Sequence, residues 1–481
     1  MTTTTDRRWL ALTVVAAAFF MGVLDSTSVF TALPSIADDL EFSAAGLQWV
    51  VTAYGVTVGG LMLFGGRLAD LLGRRRVFMA AVAVFAAASL LCGLAWSAEV
   101  LVAARTLQGV GAAVLTPAGL SLLMTVFPEG PDRHRALGVW GGLGGVGATA
   151  GLLLGGVLTD GPGWSWIFFV NVPVCLLVLV LSPALLPENR DRDVPRRFDL
   201  PGAVTVTAAL ALFVLAMFDA AESGRPTART ALLLAAALAL GALFVRIEAR
   251  SPAPLVPLRI FRSRTLVGGN LVVLVAGIAV DGMLILVTLY AQQVLGFSAL
   301  QFGLAVAVMT VASAGSVAVG QHLVTRAGSG PVALGGMVVL GAALLLLSGV
   351  SADGTFAGDL LAGLLVFGLG MGAAFVSSQI AALAGVAPAE AGLASGLEET
   401  SFTIGSTLGV AALTAVAVAR AGDLAAGGAD PLAALTAGAR TGFLVAAAVT
   451  ALGALAAIAL LWPRRPAQPA TTAPRRTTAA A

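Results

Sequence analysis

Lysine is absent from this sequence: all 27 basic residues are arginine. Without it there is no phosphate-binding Gly-rich loop ending in Lys-Ser or Lys-Thr, which excludes an ATP-driven pump built into this chain. Histidine occurs only as His134 and His322, in separate loop positions, and no metal-ligand spacing accompanies either. Cysteine is equally rare. Cys92 and Cys175 lie inside apolar runs and read as free, buried thiols, not as a disulfide framework. No grouping of nucleophile, base and metal ligands is present to support an enzyme. Charge of either sign is scarce, at 11% of residues, where soluble domains carry about 25%.

What fills the chain instead is apolar. Of its 481 residues 58% are hydrophobic, and the mean hydropathy is +0.96. A soluble protein of this composition would lack the polar surface to dissolve, so an all-α polytopic membrane protein is expected. A spanning helix needs roughly 20 apolar residues. Such runs lie near 10–33, 47–66, 77–97, 100–127, 136–158, 165–186, 200–220, 228–247, 265–291, 299–325, 331–350, 356–386, 393–419 and 440–462, fourteen in all. The first is too long for a signal-peptide core and no cleavage pattern follows it, so it is expected to be a retained span. An even number puts both termini on one side. With that side cytoplasmic, 22 of the 27 arginines fall inside; Arg225, Arg229, Arg420 and Arg440 fall outside and Arg105 lies within a span. That asymmetry predicts cytoplasmic termini. Abundant Ala and Gly with no lysine suggest a GC-rich bacterial genome.

An internal repeat accompanies the spans. Phe42-Ser43-Ala44 recurs as Phe297-Ser298-Ala299, a shift of 255 residues, and at the same shift Gly73 meets Gly328. Two related six-helix halves are expected at 1–187 and 265–462, with two inserted spans and their linkers at 188–264 and a disordered tail at 463–481.

An ionisable side chain in hydrocarbon costs about 2.5 kcal/mol or more, so each one needs an account. By helical rise, Asp25 lies roughly 12 Å below the outer edge of span one, and Arg105 roughly 9 Å below that of span four. At similar depth the two can interact, either as a structural ion pair or as a proton site. A fixed cation favours the charged form of a carboxylate, and moving it away lets the carboxylate take a proton. Asp281 in span nine is nearly the repeat mate of Asp25 and is a candidate water-facing carboxylate. Glu398 and Glu399 open span thirteen, and helix neighbours diverge by about 100°. One of them could line a cavity while the other caps a helix, or both could be solvated at a frayed start. Gly147, Gly151, Gly155 and Gly156 in span five permit close helix packing. Between spans two and three, four arginines and Asp70 crowd what reads as a short loop. Asp70 could pair with Arg74, or with a helix N-terminus across the halves, and latch a gate. A solvated basic loop would explain the arginines but not Asp70, Gly66 and Gly73.

That loop, Gly65-Gly66-Arg67-Leu68-Ala69-Asp70-Leu71-Leu72-Gly73-Arg74-Arg75-Arg76, resembles the signature loop of major facilitator superfamily transporters. Four further segments resemble motifs of the fourteen-helix drug:proton antiporter branch. They are Leu24-Asp25-Ser26-Thr27 through Pro34, Trp49 to Tyr54, Arg105-Thr106-Leu107-Gln108-Gly109-Val110-Gly111, and Trp164 to Pro173 with Asn171. The resemblance implies the major facilitator fold, a proton-transfer role for Arg105 with Asp25, and Tyr54 and Gln108 as candidate substrate or proton-site residues. An acidic pair like Glu398-Glu399 occurs in some exporters of this branch. The span-five glycines fit the pattern that marks antiporters, although Leu152 stands where that pattern has proline. The implied function is proton-coupled export of hydrophobic, cationic or neutral small molecules by alternating access. The alternative is a dedicated exporter of one metabolite or self-made antibiotic. A proton is the implied coupling ion, with no cofactor or metal. The implied partners are a lipophilic substrate and the bilayer, with no nucleic acid, and the expected state is a monomer in a bacterial cytoplasmic membrane.

Overall fold

The computed structural model describes residues 4–43, 46–127, 131–188, 199–223, 227–252, 254–384, 386 and 391–462. Ala44, the tail 463–481, the linker arginines Arg190, Arg192, Arg196 and Arg197, Arg225, and the side chains of Arg67, Asp70 and His134 lie outside the described residues. The first half comprises α1 (Thr4–Asp39), α2 (Trp49–Leu72), α3 (Arg74–Gly93), α4 (Ala98–Val126), α5 (Pro131–Asp160), a single turn α6 (Trp166–Phe169) and α7 (Asn171–Leu185). A hairpin of α8 (Leu200–Glu222) and α9 (Ala228–Glu248) follows. The second half comprises α10 (Arg264–Leu289), α11 (Ala299–Ala327), α12 (Ser329–Leu347), α13 (Leu361–Leu383), α14 (Ala391–Ala426) and α15 (Pro431–Ala456). Among the described residues thirteen helices are long and apolar enough to cross a membrane, and α2 carries a shorter apolar stretch, Trp49–Met62.

Helix ends depart from the apolar runs where capping decides them. The last crossing starts at Pro431, not near 440, because the Asp430 side chain accepts the Ala433 N–H at 3.1 Å and proline suits the first helical position. Arg440 is therefore carried inside a helix, where its Nε donates to the Val350 carbonyl at 2.5 Å. Arg420 likewise lies within α14. The sixth crossing is broken at Val170 into α6 and α7. Residues 65–72 are not a loop: they are the last turns of α2, and the joint to α3 is Gly73 alone, at φ 105°. Gly328, its repeat mate between α11 and α12, also has positive φ, at 86°. Glycine adopts that conformation without steric cost, so the repeat is written in backbone geometry as well as sequence.

α1 to α7 pack on one another, as do α10 to α15, while the α8–α9 hairpin lies against α2 and α14. A Cβ on Gly60 of α2 would stand 2.9 Å from the Thr207 Cα of α8. After α9, Leu255, Val256 and Ile260 join Leu61 and Phe64 of α2 and Ala394 and Leu397 of α14 in one apolar cluster. Glu248 holds that segment by accepting the Val256 N–H at 3.0 Å. α2 and α14 pack directly on each other, so α8 lies alongside that seam and the segment after α9 fills the apolar cluster next to it.

Candidate functional site: a buried ion pair beside a cleft

The two halves meet at the end remote from the termini. There Asp160 accepts the N–H groups of Ala299 and Leu300 at 3.1 and 3.0 Å, and Gln292 Nε2 donates to the Thr31 carbonyl at 3.2 Å. Gly156 abuts Leu300, and Gly303 abuts the Leu152 carbonyl. The same faces separate toward the termini. Gly145 shares a helical stripe with Gly156, and Ala314 shares one with Gly303, yet both are exposed. Space around Gly145 is open to at least 4 Å. A cleft between α5 and α11 therefore opens on the end that carries both termini.

Beside it, in the first half, Arg105 Nη1 lies 2.6 Å from Asp25 Oδ2. Neither residue is reached by solvent. Two bare charges would not persist there; breaking such a pair costs several kcal/mol, on the order of 3–5. A polar shell completes it. Arg105 Nε donates to the Val50 carbonyl at 2.9 Å and Nη1 to Gln108 Oε1 at 2.6 Å. Gln108 Nε2 donates to Asp25 Oδ1 and to Ser89 Oγ, both at 2.8 Å. Asn171 Nδ2 donates to Asp25 Oδ1 at 2.8 Å. The guanidinium lies 4.3 Å from the Tyr54 ring and 5.7 Å from that of Phe168, so it is held between two aromatic faces. Phe168 comes from the turn α6 and Asn171 from the first position of α7; Val170 between them keeps helical dihedrals, φ −60° and ψ −25°, and the hydrogen-bond ladder is interrupted where Pro173 has no N–H to donate.

The span-five glycines abut this centre. A Cβ on Gly151 would stand 2.5 Å from the Leu24 carbonyl, and one on Gly155 2.9 Å from the Ser28 Cα. Gly147 meets Val23. These three let α5 lie against the stretch of α1 that carries Asp25, while Gly156 serves the contact with α11. Leu152, where the pattern has proline, is buried within an unbroken helix.

In the second half, Ser406 of α14 hydrogen-bonds the partly exposed Asp281 of α10. Glu399, Thr403 and Ser406 share one stripe of α14, and Glu399 is exposed. Glu398 is turned away and buried, with Oε1 lacking a hydrogen-bond partner. The pair thus divides, with Glu399 on the stripe that carries Asp281's partner. In the signature segment, Arg74 Nη1 donates to Thr125 Oγ1 of α4 at 2.5 Å. Arg75 clasps the end of α7, donating to the carbonyls of Pro183 and Leu186 at 3.2 and 3.1 Å and to Glu188 at 3.2 Å.

Sequence reasoning gave Asp25 and Arg105 a common depth and offered Tyr54 and Gln108 only as candidate site residues; the structure brings all four together. It missed Ser89 altogether and saw Asn171 only as part of a motif. A lone serine in an apolar run carries no signal; the asparagine, polar and next to a proline, carried one that was available.

Two packed six-helix halves with an added helical hairpin, a cleft at one end and a buried ion pair beside it define an all-helical membrane protein with the architecture of a two-half transporter. The chain belongs to the Major Facilitator Superfamily, whose family model matches residues 15–410. It is 39% identical over 459 residues to the puromycin resistance protein pur8 of Streptomyces alboniger, covering 95% of this chain and 90% of that one. It is 39% identical to the cephamycin export protein CmcT of Amycolatopsis lactamdurans, covering 86% of each. The multidrug resistance protein Stp of Mycobacterium tuberculosis is 35% identical, with 85% of this chain and 76% of that one covered. Among solved structures, an auto-inhibited POT family peptide transporter superposes with a TM-score of 0.63 at 18% identity, covering 95% of this chain and 99% of that one. That last likeness is one of fold.

Proposed function

We propose that this chain is an efflux transporter that exports drug-like, hydrophobic small molecules in exchange for protons. The observation that carries the coupling is the Asp25–Arg105 pair, joined at 2.6 Å and sealed from solvent beside a cleft open at one end. The arginine distribution supports cytoplasmic termini, and with that orientation the cleft opens toward the cytoplasm. Loading a substrate in the cleft and separating Arg105 from Asp25 are competing events. Release of substrate outside leaves Asp25 free to take a proton, and return of the protonated carrier delivers it inside. Exposed Glu399 and partly exposed Asp281 offer negative charge to lipophilic cations without demanding a fixed hydrogen-bond geometry. The resistance and export roles in the names of the three relatives support the export direction.

Dye efflux into everted vesicles with an imposed pH gradient tests this reading. Transport that continues unchanged after an uncoupler collapses the gradient would overturn the coupling. A second reading, export of one dedicated antibiotic, is favoured by the puromycin and cephamycin relatives. A substrate panel separates the two, since a dedicated exporter moves one compound class and leaves cationic dyes behind.

A further inference from the structure

The Asp25 carboxylate receives three side-chain donors, and they differ in what their other ends do. Arg105 can only donate. Gln108 is committed at both ends, through Nε2 to Asp25 and Ser89 and through Oε1 to Arg105. Asn171 is not. Its Nδ2 donates to Asp25 Oδ1 at 2.8 Å and reaches Ser89 Oγ at 3.5 Å, while its buried Oδ1 has no hydrogen-bond partner. A buried carbonyl oxygen left bare costs about 1–3 kcal/mol.

That vacancy has a use once Asp25 is neutral. An ionised carboxylate only accepts hydrogen bonds, whereas a carboxylic acid must also donate one. Of the nearby acceptors, Val50 O and Gln108 Oε1 already accept from Arg105 and Ser89 Oγ from Gln108, whereas Asn171 Oδ1 accepts from none. A half-turn of the Asn171 amide about its Cβ–Cγ bond exchanges Nδ2 for Oδ1 and presents the free acceptor to Asp25. We propose that Asn171 is a positioning residue for Asp25 that donates to its carboxylate and, after a half-turn of the amide, accepts from its carboxylic acid. The step moves one proton from hydronium to a carboxylate oxygen: one O–H bond of hydronium breaks, one forms on Asp25, and a water molecule is left. The other titratable groups around Asp25 are Arg105 from α4, Tyr54 from α2, Cys92 from α3 and Cys175 from α7. α5 presents glycines there, and Asp281 of α10 is bonded to Ser406. The inference rests on the reading that Asp25 takes up the coupled proton.

The test is ethidium-driven proton exchange in proteoliposomes across a pH series, for the intact protein and for Asn171→Leu, Asn171→Ser and Asp25→Asn. The charge-assisted bond lost in Asn171→Leu outweighs the neutral one, so the pH of half-maximal exchange moves upward by about one unit. Asn171→Ser, whose hydroxyl both donates and accepts, recovers part of that shift. Infrared difference spectra give a second readout that needs no transport: the neutral-carboxyl band assigned through Asp25→Asn moves in Asn171→Leu. An unmoved midpoint together with an unmoved band overturns the proposal while leaving Asp25 as the proton site. Coupling that survives in Asp25→Asn overturns the proton-site reading and this inference with it.

Discussion

Asp160 and Leu300 belong to different halves of the molecule, and the Asp160 carboxylate accepts the Leu300 N–H at 3.0 Å. Ala299 donates to the same carboxylate at 3.1 Å. α11 already carries its own capping box, Ser298 with Gln301, so Asp160 satisfies donors that this cap does not reach. It is a helix cap supplied in trans, and it exists only while that end is shut.

Asp160→Ala is therefore expected to favour opening at the end remote from the termini. Two charge-assisted bonds lost at a half-exposed site correspond to a population shift of roughly tenfold. A membrane-impermeant thiol reagent applied from outside should label Gln292→Cys several-fold faster in the Asp160→Ala background. Equal rates would show that the cap does not hold the gate.

The buried pair makes opposite demands on stability and on coupling. Arg105→Ala takes the cation away from buried Asp25, which keeps only the neutral donors Gln108 and Asn171, at an expected cost on the order of 3–5 kcal/mol. Adding Asp25→Asn to that variant should restore much of the lost thermal stability, because both charges are then gone. Proton-driven dye uptake should stay absent in both. Thermal unfolding in detergent set beside vesicle uptake checks the pattern, and restored uptake in the double variant would contradict it.

Gly151 has no room for a side chain against Leu24 and Thr27. Gly151→Leu should push α5 away from the part of α1 that holds Asp25 and lower transport by at least about tenfold, whereas Gly144→Leu, with open space around it, should be nearly silent. Matching initial rates to the amount of protein in the membrane decides this. Comparable losses at the two positions would remove the packing argument.

Glu399 and Glu398 should separate by substrate charge. Glu399→Gln is expected to slow efflux of a cationic dye by about fivefold, in line with loss of one partly solvated charge interaction, and to spare a neutral compound. Glu398→Gln should raise stability, since Glu398 is buried with a bare carboxylate oxygen. Dye selectivity and unfolding temperature, measured on both variants, report the two effects independently.

Much of this was legible in the residues. Apolar runs fell on all thirteen helices long enough to cross a membrane, and counting rise along two of them put Asp25 and Arg105 at one depth, because helical geometry converts position into height without knowing the fold. What escaped is what depends on rotation about helix axes or on short-range chemistry at ends. Periodicity could not say which of Glu398 and Glu399 turns inward, as spans buried on several sides have no clear polar face. The start of α15 was misplaced because Asp430-Pro431 fixes it, and a hydropathy run is blind to caps. The supposed loop at 65–72 is helix because only Gly73 need break the backbone.

The α8–α9 hairpin makes the boundary between the halves lopsided. α2 and α14 pack directly on each other, and α8 braces that seam from the side. No such splint backs the α5–α11 seam among the described residues, so rocking of the halves should spread that flank more readily than the other.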